Sequence, residues 1–254
     1  MRRLLLAFVL AALAIPSAAQ TPPASQPVVR EITNIAGEVY RFRNNAHYSV
    51  FAVTPAGIFA TSPGWRIVAP STPFDYVGMM NSALRCKDPV LVIEHVELYN
   101  STGPAPVDDL DYFIPFGKAK VVRQGTTMTI LTYLAMVRPV LEAVERLGVD
   151  AEVIDLRSLD RAGLDWQTIE ASIRKTGNVL VVEQGARGTS YGGLLAAEIQ
   201  NRCFDWLDQP VQRVHGGEAS PSISKVLEAA ACARPADIER GLRQVMADQG
   251  RPLS

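Results

Sequence analysis

Residues 127–156 read TMTILTYLAMVRPVLEAVERLGVDAEVIDL and hold one strand, one helix and a second strand. Thr127 to Thr132 is β-rich, and Ala151 to Leu156 is again a strand-length apolar run. Between them Val137, Val140, Leu141, Val144 and Leu147 recur at helical spacing, and Gly148 closes the stripe as a C-terminal stop. Strands that are nearly all apolar are buried on both faces, so this segment predicts a parallel sheet with a helix crossing over it.

The same grammar extends in both directions. Lys120 to Val122 precedes it as a strand. Asp165 can cap a helix carrying Trp166, Ile169 and Ile173, with Arg174 and Lys175 in its last turn and Gly177 beyond. Val179 to Val182 is a strand, a glycine-rich loop follows, and Leu195 and Ile199 mark a helix. Val211 to Val214 is a further strand, and Ile238, Leu242 and Val245 mark a final helix. Alternation of this kind means an α/β fold with right-handed crossovers and helices on both faces. Upstream, Arg66 to Ala69 is a short strand, Thr72-Pro73 starts a helix that runs to about Arg85, and Val90 to Ile93 is a strand. Asn100 to Asp111 reads as a polar, proline-containing linker. From Glu38 the period is two, and turns at Asn44-Asn45 and Thr54 to Gly57 predict a small meander of three strands.

The chain has 254 residues, with 25 basic and 26 acidic side chains and a formal net charge of -1. That balance gives no basic face for nucleic acid. Apolar residues make up 48%, enough for a sizeable core. Cys86, Cys203 and Cys232 form no paired motif, so neither a zinc ribbon nor a disulfide scaffold is indicated. Arg2 and Arg3, the apolar run Leu4 to Ile15 and the small residues Ser17-Ala18-Ala19 make a three-part export leader over 1–19. Its apolar run is too short for a stable membrane span, which takes about 20 residues. Thr21 to Gln26 is a spacer.

Several constellations invite a chemical reading. Gly188 to Gly192 fits the G-x-S-x-G pattern around Ser190, and Asp205 or Asp208 and then His215 follow in the order of a hydrolase triad. Glu183 to Arg187 separate the strand from Ser190, so the pattern reads as a glycine loop packed against the sheet. Gly185, Gly188, Gly192 and Gly193 before a helix resemble an anion cradle but match neither nucleotide fingerprint. His47, His95 and His215 stand alone and make no metal motif. Asp108, Asp109, Asp111 and Glu94 read as solvated acids, and Cys86 beside Lys87 as a helix-end residue.

Two family resemblances divide the chain near Ser62 and Pro63. The stretches PGWRIVAPSTPFD (63–75), DPVLVIEHVELY (88–99), DYFIPFGKAKVVRQG (111–125), AEVIDLRSLD (151–160), LVVEQG (180–185) and FDWLDQPVQRVHGGEASPS (204–222) resemble the β subunit of the thiamine-dependent first component of 2-oxo acid dehydrogenases, of pyruvate or acetoin type. Residues 31–62, with NIAGEVYRFRNNAHYSVFAVTPAG inside, resemble the opening strands of secreted metallo-β-lactamase-fold hydrolases, but the zinc motif of that fold does not follow.

The first resemblance implies an α/β, three-layer transketolase C-terminal-like domain with a mainly parallel sheet over 118–254. A partial pyrimidine-binding-domain βαβ unit over 63–99 and a linker over 100–117 would precede it, behind a spacer and β meander over 20–62. It implies oxidative decarboxylation of pyruvate or a related 2-oxo acid, with acyl transfer to lipoamide. The cofactors would be thiamine diphosphate and Mg²⁺ in the parent complex. The activating Glu and the Gly-Asp-Gly magnesium motif of the family have no counterpart here, so no catalytic or cofactor-binding residue is assigned. The chain then reads as a truncated β subunit, inactive alone, that gives subunit assembly. Its partners would be the α subunit, a second β copy and the dihydrolipoyl acyltransferase core. A helix-end loop of many relatives holds K⁺, and it corresponds to Ala83, Leu84, Cys86 and Asp88. A non-enzymatic scaffold module and an exported hydrolase are the alternatives. The leader implies export to the periplasm; a fusion or misjoined N-terminus would instead leave the protein in the cytoplasm.

Overall fold

The computed structural model describes residues 30–37, 39–44, 47–54, 57–61, 65–104, 108–188, 190–218 and 224–252, so the export leader lies outside them. The chain divides into two compact units, Met1–Ser62 and Pro63–Ser254.

The first unit is a four-stranded antiparallel meander of β1 (Arg30–Ala36), β2 (Val39–Asn44), β3 (His47–Thr54) and β4 (Gly57–Thr61). The sequence predicted three strands, starting at Glu38; β1 is the fourth. Its Ile32 and Ile35 are exposed and three positions apart, so no apolar alternation announces it. The turn into β2 is closed by Asn34, whose side-chain amide donates to the Gly37 carbonyl at 2.7 Å. Gly37 sits there at φ +53°, where other residues are strained.

The second unit opens with a parallel pair, β5 (Arg66–Val68) and β6 (Val90–Val92), joined by α1 (Pro73–Arg85). Thr72 caps α1: its hydroxyl oxygen accepts the Asp75 N–H at 3.1 Å, and Pro73 occupies the first turn. A 3-10 turn, Val96–Leu98, follows β6. The segment read as a solvated linker is different in its second half. The Ile114 N–H donates to the Gly78 carbonyl at 3.0 Å. Asn81 donates to the carbonyls of Leu110 and Tyr112, at 2.7 and 2.9 Å. Tyr112 stacks on Phe74 with ring centroids 4.6 Å apart. Apolar residues near its end, Tyr112 and Ile114, turn the segment onto α1, where they complete a core with Val68 and Met79.

The five-stranded sheet has the order β11-β10-β8-β9-β7. Its strands are β7 (Lys120–Arg123), β8 (Met128–Thr132), β9 (Ala151–Asp155), β10 (Val179–Ala186) and β11 (Gln212–Gly216). All pairings are parallel except that of β7 with β9 at the edge. Helix α2 (Val137–Leu147) crosses from β8 to β9, α3 (Trp166–Thr176) from β9 to β10, and α4 (Tyr191–Cys203) from β10 to β11. The short α5 (Lys225–Ala231) and α6 (Pro235–Asp248) follow. Successive residues of each strand feed opposite cores. Met128, Ile130, Val153, Leu180 and Val182 pack with Val140 and Val144 of α2 and with Ile238, Leu242 and Val245 of α6. Leu131, Ile154, Val179 and Val181 pack with Ile169 and Ile173 of α3 and with Leu195 and Ile199 of α4. This is a three-layer α/β/α arrangement, and the two-sided burial is why these strands read as unbroken apolar runs.

Candidate functional site

In open α/β sheets, ligands and chemistry gather at the carboxyl ends of the strands. Two non-glycine residues with left-handed backbones are found at this edge: Leu134, just after β8, at φ +52°, and Arg157, just after β9, at φ +56°. Such conformations persist only where the surroundings enforce them.

Two polar clusters occupy the edge. In the first, the guanidinium of Arg157 pairs with Asp75 Oδ1 of α1. The Ser71 hydroxyl bonds Asp155 Oδ2 and lies 3.3 Å from Asp75 Oδ2. Asp75 and Asp155 are fully buried. Burial, reinforced by the negative charge of Asp75, pushes the Asp155 carboxyl up to about 6; bonds from Ser71 and the Arg157 N–H oppose the rise.

The second cluster centres on Glu183 of β10, also fully buried. Its Oε1 accepts the Ser190 hydroxyl at 2.6 Å and Arg213 Nη2 at 3.0 Å. Its Oε2 accepts the Gly192 N–H at 2.6 Å and the Tyr133 hydroxyl at 3.2 Å. Gly192 lies in the first turn of α4, so an internal carboxylate already takes a helix N–H that an external anion would need. A Cβ on Gly192 would stand 2.3 Å from Glu183 Oε1, which accounts for the glycine. Burial and the Glu183 charge raise the Tyr133 hydroxyl well above its usual range, so it stays a donor.

A cavity of about 380 Å³ lies where β5 and β6 end, lined by Ser71, Thr72, Tyr76, Glu94, His95 and Tyr99 among others. Tyr76 and Tyr99 donate to opposite oxygens of Glu94, at 2.5 and 2.7 Å. These bonds hold the Glu94 carboxyl below its usual value and push Tyr76 up to about 12. His95 Nε2 lies 2.6 Å from Gln184 Oε1.

The triad suggested around Ser190 is not assembled. Ser190 is bonded to Glu183 and Arg213. Asp208 accepts from Asn178 at 3.3 Å, and His215 Nδ1 meets the Gly216 carbonyl at 2.7 Å. Its last glycine is explained by packing, since Gly192 lies directly against the Glu183 carboxylate. Of the lone histidines, His47 belongs to β3, and its side chain lies outside the described residues. Among the described residues no group of three or more His, Cys, Asp or Glu side chains is placed to hold a metal. Asp109 accepts the Asp111 N–H, and Asp111 pairs with Arg85 on the surface. Ala83, Leu84, Cys86 and Asp88 lie at the far end of α1 from Thr72, where the Cys86 N–H donates to the Ala83 carbonyl at 3.1 Å. Asp75, Asp155, Arg157 and Glu183 escaped sequence reasoning. For the last three the available signal was an acid or base inside or just beyond an apolar strand; Asp75, in the first turn of α1, reads as an ordinary helix-start acid.

The fold and the edge clusters define a class: residues 117–238 match the sequence profile of the transketolase C-terminal domain. A solved chain described as "Split gene transketolase, inactive beta4 tetramer" shares the fold, with a TM-score of 0.58 and 21% identity over 72% of this chain and 58% of that one. The particular family follows from the relatives. The pyruvate dehydrogenase E1 component subunit beta of Bacillus subtilis is 42% identical over 62% of this chain and 49% of that protein. Its counterpart in Porphyra purpurea is 40% identical over 74% of this chain and 56% of that protein. The 2-oxoisovalerate dehydrogenase subunit beta of Bacillus subtilis is 35% identical over 86% of this chain and 72% of that protein. The chain belongs to the family of 2-oxo acid dehydrogenase β subunits, and it spans about half the length of the pyruvate-type relatives. The match to the 2-oxoisovalerate subunit takes in more of the chain than residues 63–254 make up, so it runs into the first unit. None of these matches supports the metallo-β-lactamase resemblance of 31–62.

Proposed function

We propose that this chain works as the β-type component of a 2-oxo acid dehydrogenase and contributes assembly rather than catalysis. The parent reaction is oxidative decarboxylation of pyruvate or a related 2-oxo acid, with acyl transfer to lipoamide. The carrying observation is that the carboxylates at the strand ends are already engaged. Glu183 accepts four internal bonds, Asp75 is paired with Arg157, Asp155 is bonded to Ser71 and to the Arg157 N–H, and both oxygens of Glu94 are bonded to tyrosines. None is left to bond an aminopyrimidine, and no carboxylate group is set to hold Mg²⁺ among the described residues. The residues present therefore do not fit thiamine diphosphate and its metal by themselves.

The exposed apolar side chains offer contact surface instead. Val226 and Leu227 of α5 and Val96 and Tyr99 after β6 are all open to solvent. The α subunit of the same dehydrogenase is the first expected partner, with a second β copy and the dihydrolipoyl acyltransferase core beside it. Mixing the chain with such an α subunit and measuring sedimentation tests this reading. A stable complex supports it. A strict monomer that ignores the α subunit counts against it, as does pyruvate turnover by the chain alone with thiamine diphosphate and Mg²⁺.

K⁺ remains part of the proposal. If backbone carbonyls are the ligands, those of Ala83, Leu84 and Cys86 with the Asp88 carboxylate would make an all-oxygen donor set suited to that ion, with the thiol uninvolved. A higher melting temperature in KCl than in NaCl supports it. Residues 1–19 carry the proposal of export. Sequencing source DNA across codons 62 and 63 tests it: an uninterrupted product keeps the leader with the dehydrogenase part, and a failed product returns that part to the cytoplasm.

A further inference from the structure

The carboxyl end of β9 meets the loop before α1 through two buried carboxylates and one hydroxyl, and the donors there can be counted. Asp75 Oδ1 accepts from the Arg157 guanidinium. Asp75 Oδ2 lies 2.5 Å from Thr72 Oγ1 and 3.3 Å from Ser71 Oγ. Asp155 Oδ1 accepts the Arg157 backbone N–H at 3.2 Å, and Asp155 Oδ2 is bonded to Ser71 Oγ. Ser71 stands between two carboxylates and brings one hydroxyl hydrogen. With both acids ionised, one of its two contacts contains no proton. With a proton on Asp155, both are made: Asp155 donates to Ser71, and Ser71 donates to Asp75.

The charges around Asp155 lead to the same count. From its own strand end comes Arg157, and from α1 comes Asp75, so one cation faces two carboxylates. From β7 the in-register residue is Lys120, whose ammonium lies 6.0 Å from the Phe74 ring centroid. From β8 it is the uncharged Thr132. A second buried negative charge would be left with no cation bonded to it, and such a charge is costly.

We propose that Asp155, Ser71 and Asp75 share one proton, which fastens the β5–α1–β6 layer to the five-stranded sheet in mild acid, and that its loss loosens the contact as the pH rises toward neutral. The upward shift of Asp155 from 3.8 to about 6 agrees with the geometry. A carboxyl raised on folding stabilises fully below 3.8 and loses that contribution as pH rises through about 6. The folding constant should fall about a hundredfold across that window from this group.

The test is infrared difference spectroscopy of the full chain between about pH 5 and about pH 7.5, following the band of a buried protonated carboxyl apart from that of exposed glutamates, which still hold some protons at the lower pH. A protonated-carboxyl band is expected at the lower pH, together with slower amide exchange of 66–92. In Asp155→Asn, whose amide donates to Ser71 permanently, the band should vanish, and the hundredfold fall, read by urea unfolding from about pH 3.5 to about pH 7.5, should flatten. In Ser71→Ala, which keeps Asp155 and breaks the relay, the band should shift, a readout that does not depend on the Asn variant folding. Absence of the band in the wild-type chain overturns the proposal. So does its survival in Asp155→Asn, or an unmoved band in Ser71→Ala.

Discussion

Replacing Glu183 by Gln isolates the charge that organises the start of α4. Shape and volume are nearly kept. A carboxylate offers two acceptor oxygens, and here they meet four donors: Ser190, Arg213, Gly192 and Tyr133. Glutamine replaces one oxygen with an NH₂, so two of the four donors then face another donor. The guanidinium of Arg213 also loses its partner, and its Nε is already buried without a hydrogen bond. Breaking a buried pair costs about 3–5 kcal/mol, and the partial exposure of Arg213 places this case near 3. For a unit of this size that is a fall in melting temperature of about 6–12 °C. Urea unfolding followed by circular dichroism measures it, and a double-mutant cycle with Arg213→Met separates the pair from its surroundings. A Glu183→Gln protein within about 1 kcal/mol of wild type would refute the reasoning. So would a coupling energy near zero.

Gly78→Val should cost about 1–3 kcal/mol and expose 108–116 to protease, because a Cβ there meets Tyr112 and Ile114 at 2.6 and 2.7 Å; limited proteolysis followed by mass spectrometry reads it. Ile130→Ala, in the middle strand of the sheet and fully buried, should lose about 2–5 kcal/mol in chemical denaturation. Tyr76→Phe should let the Glu94 carboxyl rise toward its ordinary value of 4.5. A lowered carboxyl stabilises above that value and loses the contribution as pH falls, so this variant should show a smaller acid-side loss, visible by carboxyl-carbon NMR titration. Fluorophosphonate labelling of Ser190 should be absent, since its hydroxyl donates to Glu183, while the described imidazoles, His95 and His215, are bonded to Gln184 and Gly216.

The α/β layers were legible because two-sided burial leaves long apolar runs and because caps sit at the helix ends. Thr72 and Pro73 start α1, Gly148 at φ +63° stops α2, and Asp165 caps α3 through the Thr168 N–H. Strand β1 was not legible, since its isoleucines stay exposed. The packed half of 100–117 was hidden because a polar start concealed Tyr112 and Ile114. The edge clusters were less legible still. Periodicity registers Asp155 and Glu183 only as interruptions of apolar runs. Their meaning lies in partners such as Ser71 and Arg213, 84 and 30 positions away. Ser190 shows the converse: its five-residue pattern was conspicuous, yet the strand end placed an acid, not a histidine, against it.

The short β5–β6 pair also has a consequence for synthesis on the ribosome. Ala69 donates to the carbonyl of Arg157, and Leu159 donates to that of Ile67. Those partners are made about ninety residues later, which at about 5–20 residues per second is a delay of about 4–18 s. During that interval the first layer has its own helix but nothing to rest on. A chaperone that binds nascent chains would find its substrate there, and slow codons between 100 and 157 would prolong the exposure.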